Sequence, residues 1–450
     1  MTSTTHGGPG AGGSAVAGAA RSRLHGDASQ GTRSRREEAT SPAFDVDRVL
    51  RDPGVHIVVC CGSGGVGKTT TAAALAVRAA EQGRRVAVLT IDPARRLAQS
   101  LGLTELDDSP RLVTGLDTAA GGGSLEAMML DMKRTFDEVV QAHATPEKAA
   151  QILANPFYEA LSSSFAGTQE YMAMEKLGQL RERRGPDGGS RWDLVVVDTP
   201  PSRSALDFLD APSRLGSFLD GRFIRLLVAP AKAGGRAYTK VMGAGISLAS
   251  GVLSKILGAS MLEDVRGLVA ALDTMFGGFR ERADHTYSLL RQPETAFVVV
   301  AAPERDALRE AGYFIDRLDA DGMPLAGVVV NRMARSRTDR ITADAASRGA
   351  EALRAQVGTS AGGTSTPASD AAAPTARAAT TTTAAVIATD LLEVHALAAG
   401  EARRHETLTR EFAARHTGIP LVRVPVAATD VHDLEGLRTI GAALAGTPRV

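Results

Sequence analysis

Cysteine is almost missing from this chain: there are two in 450 residues, Cys60 and Cys61, adjacent within one apolar run. They cannot staple a fold, and without a CxxC pair they build neither a zinc clamp nor an iron–sulfur cluster. That excludes an iron–sulfur reductase, and it also excludes arsenite capture by a thiol triad. An excess of charge is missing too, with Lys+Arg and Asp+Glu both at 51 and a formal charge of zero. Nucleic acid is therefore not the expected partner, since its binders present a basic face. Residues 1–40 hold no hydrophobic stretch of the kind a secretory leader needs. Together with reduced thiols this predicts a cytoplasmic protein, with peripheral membrane association as the alternative.

Long apolar runs are scarce as well. Val241–Leu262 (VMGAGISLASGVLSKILGASML) is about long enough to cross a bilayer, but Lys255, serines and glycines dilute it. Its large residues Ile246, Leu253, Ile256 and Leu257 recur at roughly helical spacing, which predicts an amphipathic helix instead. Two stretches lack bulky residues altogether. Residues 1–45 are expected to be disordered, because they cannot bury enough apolar surface to offset chain entropy. Residues 357–383, which include GTSAGGTSTPASDAAAPTARAATTTT, are expected as a mobile loop insertion.

Between these stretches the chain is patterned. Apolar, β-branched runs at Ile57–Cys61, Val86–Ile91, Leu194–Val197, Phe297–Ala301, Leu325–Val330 and Leu421–Val424 predict buried parallel strands. Helical patterns such as Lys68–Glu81 and Ala307–Leu318 lie between most of them. This alternation predicts an α/β fold with a doubly wound, mostly parallel sheet over residues 46–450. Residues 124–180 and 204–290 read as helical insertions without strands, forming a helical subdomain above the sheet.

The chemistry concentrates in Gly62-Ser63-Gly64-Gly65-Val66-Gly67-Lys68-Thr69, which fits G-x-x-x-x-G-K-[ST] without a mismatch. A strand precedes it and an Ala-rich helix follows it, the context a phosphate-binding loop requires. Glycines let successive backbone N–H groups turn toward a phosphate at the positive end of the helix. Lys68 is then placed for the β- and γ-phosphates of ATP, Thr69 for Mg²⁺ and Thr70 for the α-phosphate. WDLVVVDTPPS is a strand ending in Asp198, at the position that holds Mg²⁺ through water. VAVLTIDPARRL is another, ending in Asp92, where a carboxylate orients or deprotonates the attacking water.

The segments GSGGVGKTTTAAALA, TIDPARRLAQSLG, VVVDTPPS, FVVVAAPERDALREAGYFIDRL and GVVVNRM together resemble the ArsA family of ATPases, above all its actinobacterial ArsA-like members. That family also contains the arsenite-pump and tail-anchored-protein targeting ATPases. The resemblance runs from about Val55 to Leu437. It implies a P-loop NTPase of the SIMIBI type, working as a dimer that opens and closes with ATP and serves a membrane-protein or membrane-associated client. By position, Asp92 matches the family's switch I aspartate, and Asp198 with Thr199 the start of switch II. Asn331 matches the adenine-recognising asparagine, and Pro425 falls near the second adenine-side loop.

The departures from the family are informative. Switch II lacks the family's Gly-His-Thr element and continues PPSRSALDFLD. Ser63 stands where the family carries a second lysine that reaches the partner's phosphates. Loss of that charge leaves three readings: slow hydrolysis by a switch or structural subunit, substitution by Arg95, Arg96 or Arg203, or a heterodimer with a lysine-bearing paralogue rather than a homodimer. The heterodimer is favoured, because a symmetric dimer would lose the charge twice. A ParA/MinD-like positioning ATPase is the remaining alternative, and the tail DLEGLRTIGAALAGTPRV is poor for the membrane binding it needs. Met128, Met129, Met132, Met172, Met174, Met242, Met261 and Met275 suit either a hydrophobic groove or ordinary core filling.

Overall fold

The computed structural model describes residues 41–91, 96–118, 122–155, 158–159, 168–200, 281–282, 284–361 and 376–446. Every residue of β1 (Ile57–Cys61), β5 (Leu194–Asp198) and β6 (Thr295–Ala301) is buried, as continuous β-branched runs require. With β2 (Arg85–Thr90), β3 (Arg111–Leu112), β4 (Ser124–Met129), β7 (Leu325–Met333) and β8 (Leu421–Pro425) they form one 8-stranded sheet. The order is β3-β4-β2-β5-β1-β6-β7-β8, and only the short β3 runs antiparallel to its neighbour. From β1 the chain crosses to β2 on one side and later returns to β6 on the other. The strand order therefore reverses at β1, which opens a crevice at the carboxyl ends of the strands.

Successive residues of β1 serve opposite faces. Ile57, Val59 and Cys61 join a core with Phe136 of α4 (Met132–His143), Ile152 of α5 (Pro146–Leu153), Met174 and Leu177 of α6 (Thr168–Glu182), and Phe314 of α7 (Arg305–Ala320). Val58 and Cys60 join a second core with Leu50 of α1 (Val46–Arg51), the alanines of α2 (Lys68–Glu81), and Leu437 and Ile440 of α10 (Leu434–Leu444). Both faces are thus covered, and the doubly wound α/β architecture is established. Small residues let α2 and α10 approach closely: a Cβ on Gly441 would stand 3.5 Å from the Ala74 carbonyl. Three further helices are α3 (Arg96–Ser100), α8 (Ala343–Ala361) and α9 (Ala376–Arg415).

Both thiols are free and buried. Burial pushes the Cys60 thiol well up, with the Asp198 carboxylate adding to it, and burial raises Cys61 to about 12. The thiolate is the reactive form, so neither cysteine should be alkylated by iodoacetamide in the native protein at neutral pH. Both should react once guanidinium unfolds it. Rapid native labelling, read by mass spectrometry, would contradict this packing.

The sequence reading needs three corrections, and of its two readings of the methionines core filling holds for Met128, Met172 and Met174. The stretch 124–180 is not wholly helical: Ser124–Met129 is a sheet strand pairing β2 in parallel from Arg85↔Ser124 to Thr90↔Met129. SLEAMM carries good helix formers, and ladder pairing with burial of Leu125, Ala127 and Met128 overrides that preference. The expected loop at 357–383 is helix at both ends, since α8 runs to Ala361 and α9 begins at Ala376; residues 362–375 lie outside the described residues. The segment 1–45 is ordered at its end, where the Phe44 N–H donates to the Leu421 carbonyl at 3.1 Å and Phe44 is buried. Met128, Met172 and Met174 are core residues, exposed 0%, 1% and 0%. Residues 204–280, Val241–Leu262, Met242, Met261 and Met275 lie outside the described residues.

Candidate nucleotide site

The loop between β1 and α2 is shaped by its glycines. Gly62, Gly65 and Gly67 hold φ of 148°, 77° and 95°, a region that side chains disfavour. At Gly62 the chain passes so near β6 that a Cβ would lie 2.1 Å from the Val300 carbonyl oxygen. At Gly67 it would lie 2.3 Å from the Asn331 side-chain nitrogen, whereas above Gly65 nothing stands within 4 Å. α2 then starts at Lys68 with Gly67 as N-cap and no side-chain cap, unlike α1, α4, α5 and α10, whose amides are capped by Asp45, Asp131, Thr145 and Asp433. The start of α2 lies at the positive end of the helix dipole, where an anionic ligand is favoured.

Lys68 is 5% exposed, and its Nζ donates to the Ser63 carbonyl at 2.8 Å, closing the loop on itself. Ser63, itself buried, contributes a carbonyl to this clasp and no charge. Thr69 and Thr70 follow in the first turn of α2, both half-buried. Gly64 is exposed, and Val66 is buried in the α2 face of the core.

The neighbouring strand ends converge on this loop. Asp198 closes β5 in register with Cys60 of β1 and Thr90 of β2, so its position is fixed from both sides. Its Oδ2 accepts from the Thr90 hydroxyl at 3.0 Å, and the side chain is fully buried. Thr199 donates its hydroxyl to the Cys60 carbonyl at 2.8 Å. Asn331 of β7 is 7% exposed and donates Nδ2 to the Val66 carbonyl at 2.9 Å, tying a strand two positions from β1 in the order to the loop. The next residue, Arg332, has a φ of 60°, alone among the described non-glycine residues. Pro425 ends β8 opposite Met333, so it flanks Asn331 and not the loop itself.

The structure thus brings together Gly62–Thr70, Asp198 and Asn331. Asp92, Arg95 and Arg203 lie outside the described residues, while Arg96 is exposed at the start of α3, directly after the gap at 92–95. The Asn331–Val66 bond has no signal in the sequence. The oxygen donors Thr69 and Asp198 are of the hard kind that Mg²⁺ takes. Among the described residues no group of three or more His, Cys, Asp or Glu gathers as a separate metal site.

A family model described as anion-transporting ATPase, ArsA, matches residues 55–348, more than half of the chain. The chain belongs to the ArsA family. It is an ATPase of the nucleotide-binding P-loop class. Among its relatives, ATPase GET3 of Malassezia globosa is 25% identical over 302 residues, covering 66% of this chain and 78% of the relative. Protein Rv2184c of Mycobacterium tuberculosis is 28% identical over 288 residues, 62% of this chain and 59% of that protein. ATPase get3 of Neurospora crassa is 26% identical over 288 residues, 63% of this chain and 75% of the relative.

Proposed function

We propose that this ArsA-family ATPase binds ATP with Mg²⁺, hydrolyses it slowly by itself, and acts as one half of a dimer completed by a related subunit with lysine in place of Ser63. The observation that carries this reading is the loop itself: Lys68 is the only cation in Gly62–Thr70, its Nζ is held by the Ser63 backbone carbonyl, and the Ser63 side chain offers only a hydroxyl where a second ammonium would stand. In a closed, water-poor interface one ammonium on the γ-phosphate oxygens contributes far more than at a surface. Thr69 and Asp198 would hold Mg²⁺, which neutralises charge developing on the phosphates. Asn331, beside the loop, would face the adenine, with Pro425 at the edge of that pocket.

The nucleotide cycle would open and close the dimer and with it the binding of a client, and the cell compartment would be the cytoplasm. The test is ATP hydrolysis against protein concentration, with light scattering for mass. The expected result is slow turnover that rises when a lysine-bearing paralogue is added, and a rise in Ser63→Lys wherever the lone chain pairs with itself. A fast homodimer with Ser63 intact would overturn the heterodimer and direct attention to Arg95, Arg96 and Arg203.

Asp92 is proposed to orient the attacking water. Asp92→Asn keeps the shape and removes the acceptor charge, so ATP affinity should stay within about twofold while turnover falls on the order of 10²-fold or more. Wild-type turnover in Asp92→Asn would remove that assignment.

A further inference from the structure

Thr90 ends β2 inside the sheet, between β4 and β5, and is buried. Val86, Ala87, Val88 and Leu89 before it are buried and apolar. Valine has the shape of threonine with a methyl in place of the hydroxyl, and it would suit such a strand better. A buried hydroxyl is costly unless it is hydrogen-bonded. The Thr90 hydroxyl finds its acceptor on the next strand, donating to Asp198 Oδ2 at 3.0 Å. Two residues further along the chain stands Asp92, so the strand that leads to one carboxylate of the site holds the other.

The backbone at Asp198 is fixed without this bond. Its carbonyl accepts from the Ile91 N–H at 3.0 Å, and β5 pairs in register with β1 and β2. The next residue, Thr199, reaches the Cys60 carbonyl with its N–H at 3.3 Å and its hydroxyl at 2.8 Å. What strand pairing leaves open is the rotation of the Asp198 carboxylate about its side-chain torsions. The Thr90 bond acts on that freedom, in a place where the carboxylate is fully buried and bulk water does not orient it. A hydrogen bond to an ionised acceptor is roughly twice as strong as one between neutral groups. Groups that orient a metal-holding side chain change metal affinity or activity by about 10- to 100-fold when removed.

We infer that Thr90 is a positioning residue for Mg²⁺, its hydroxyl turning the Asp198 carboxylate toward the metal. This rests on the assignment of Asp198 to Mg²⁺ made above. The test is calorimetry on the full chain with the non-hydrolysable ATP analogue AMP-PNP, once in excess Mg²⁺ and once in EDTA. The ratio of the two affinities is the metal's contribution. In Thr90→Val the affinity in EDTA should stay within about twofold, while the ratio falls about tenfold or more. The Mg²⁺ concentration for half-maximal ATP hydrolysis should rise by a similar factor. Thr90→Ser keeps the hydroxyl and should hold the wild-type ratio, although it removes a buried methyl; a role in packing alone predicts the opposite order. Asp198→Asn should collapse the ratio, and adding Thr90→Val to it should change the ratio no further. If Thr90→Val does not fold, Thr90→Cys takes its place, with a thiol that donates only weakly. A wild-type ratio in Thr90→Val beside a collapsed one in Asp198→Asn overturns this inference alone. A wild-type ratio in Asp198→Asn overturns the Mg²⁺ assignment and this inference with it. Equal losses in Mg²⁺ and in EDTA would assign Thr90 to the shape of the fold and overturn it too.

Discussion

Lys68→Ala is expected to weaken ATP binding by roughly 10- to 100-fold and to bring hydrolysis close to background. A hydrogen bond to a charged group contributes about 1.5–3 kcal/mol, and each ~1.4 kcal/mol is a factor of ten in affinity. The larger loss falls on turnover, because charge on the γ-phosphoryl oxygens is greatest as the bond breaks. In the free protein the same ammonium holds the Ser63 carbonyl at 2.8 Å, so the substitution also releases the clasp that shapes the loop. The two roles separate experimentally. Calorimetry with ATP and with AMP distinguishes them, since AMP offers no β- or γ-phosphate to the lysine. AMP affinity that falls as far as ATP affinity would assign the loss to a collapsed loop. ATP affinity unchanged in Lys68→Ala would remove the phosphate-loop assignment altogether.

Gly62→Ala should be among the most destabilising single substitutions in the sheet. Its φ of 148° already disfavours a side chain, and the added Cβ would sit 2.1 Å from the Val300 carbonyl oxygen. That atom belongs to the backbone of β6, which is paired to β1 on one side and β7 on the other and cannot yield. A loss of about 3 kcal/mol or more is expected, corresponding in a chain of this length to a fall in Tm of roughly 3–5 °C. Gly188→Ala is the control. It too has a positive φ, 76°, but nothing lies within 4 Å of its Cβ, so only the backbone cost of about 1–2 kcal/mol remains. Equal shifts in the two variants would show that the close approach at Val300 carries no weight.

Much of this was legible in the sequence, for physical reasons that differ by element. β1, β5 and β6 are buried on both faces, so their composition alone marks them, and the limits expected for α2 at Lys68–Glu81 match the structure. β3 and β4 were invisible. Arg111–Leu112 is too short for any pattern, and Ser124–Met129 is strand only because β2 supplies the ladder. The α8–α9 hairpin was hidden for another reason: alanine and threonine repeats read as low complexity, and the pairing of α8 with α9 through Arg354–Glu393 and Gly349 against Leu392 leaves no mark in local composition. Within the site, Lys68, Thr69 and Asp198 follow from local spacing. The bond from Asn331 to Val66 joins residues 265 apart, a pairing that only the sheet order creates.

The packing of α2 against α10 has a consequence for how the protein is made. The helix that follows the glycine loop ends at Glu81, whereas the helix that backs its outer face ends at Leu444. On both sides β1 is likewise flanked by later strands, β5 and β6. At ~5–20 residues per second, roughly 20 to 70 s of synthesis separate α2 from its support. Throughout that interval the apolar face of α2, with Leu75 and Val77, has no native cover from α10. A nascent chain of this protein should therefore acquire nucleotide affinity late and abruptly, and until then it offers chaperones a bare, alanine-rich helix near its leading end.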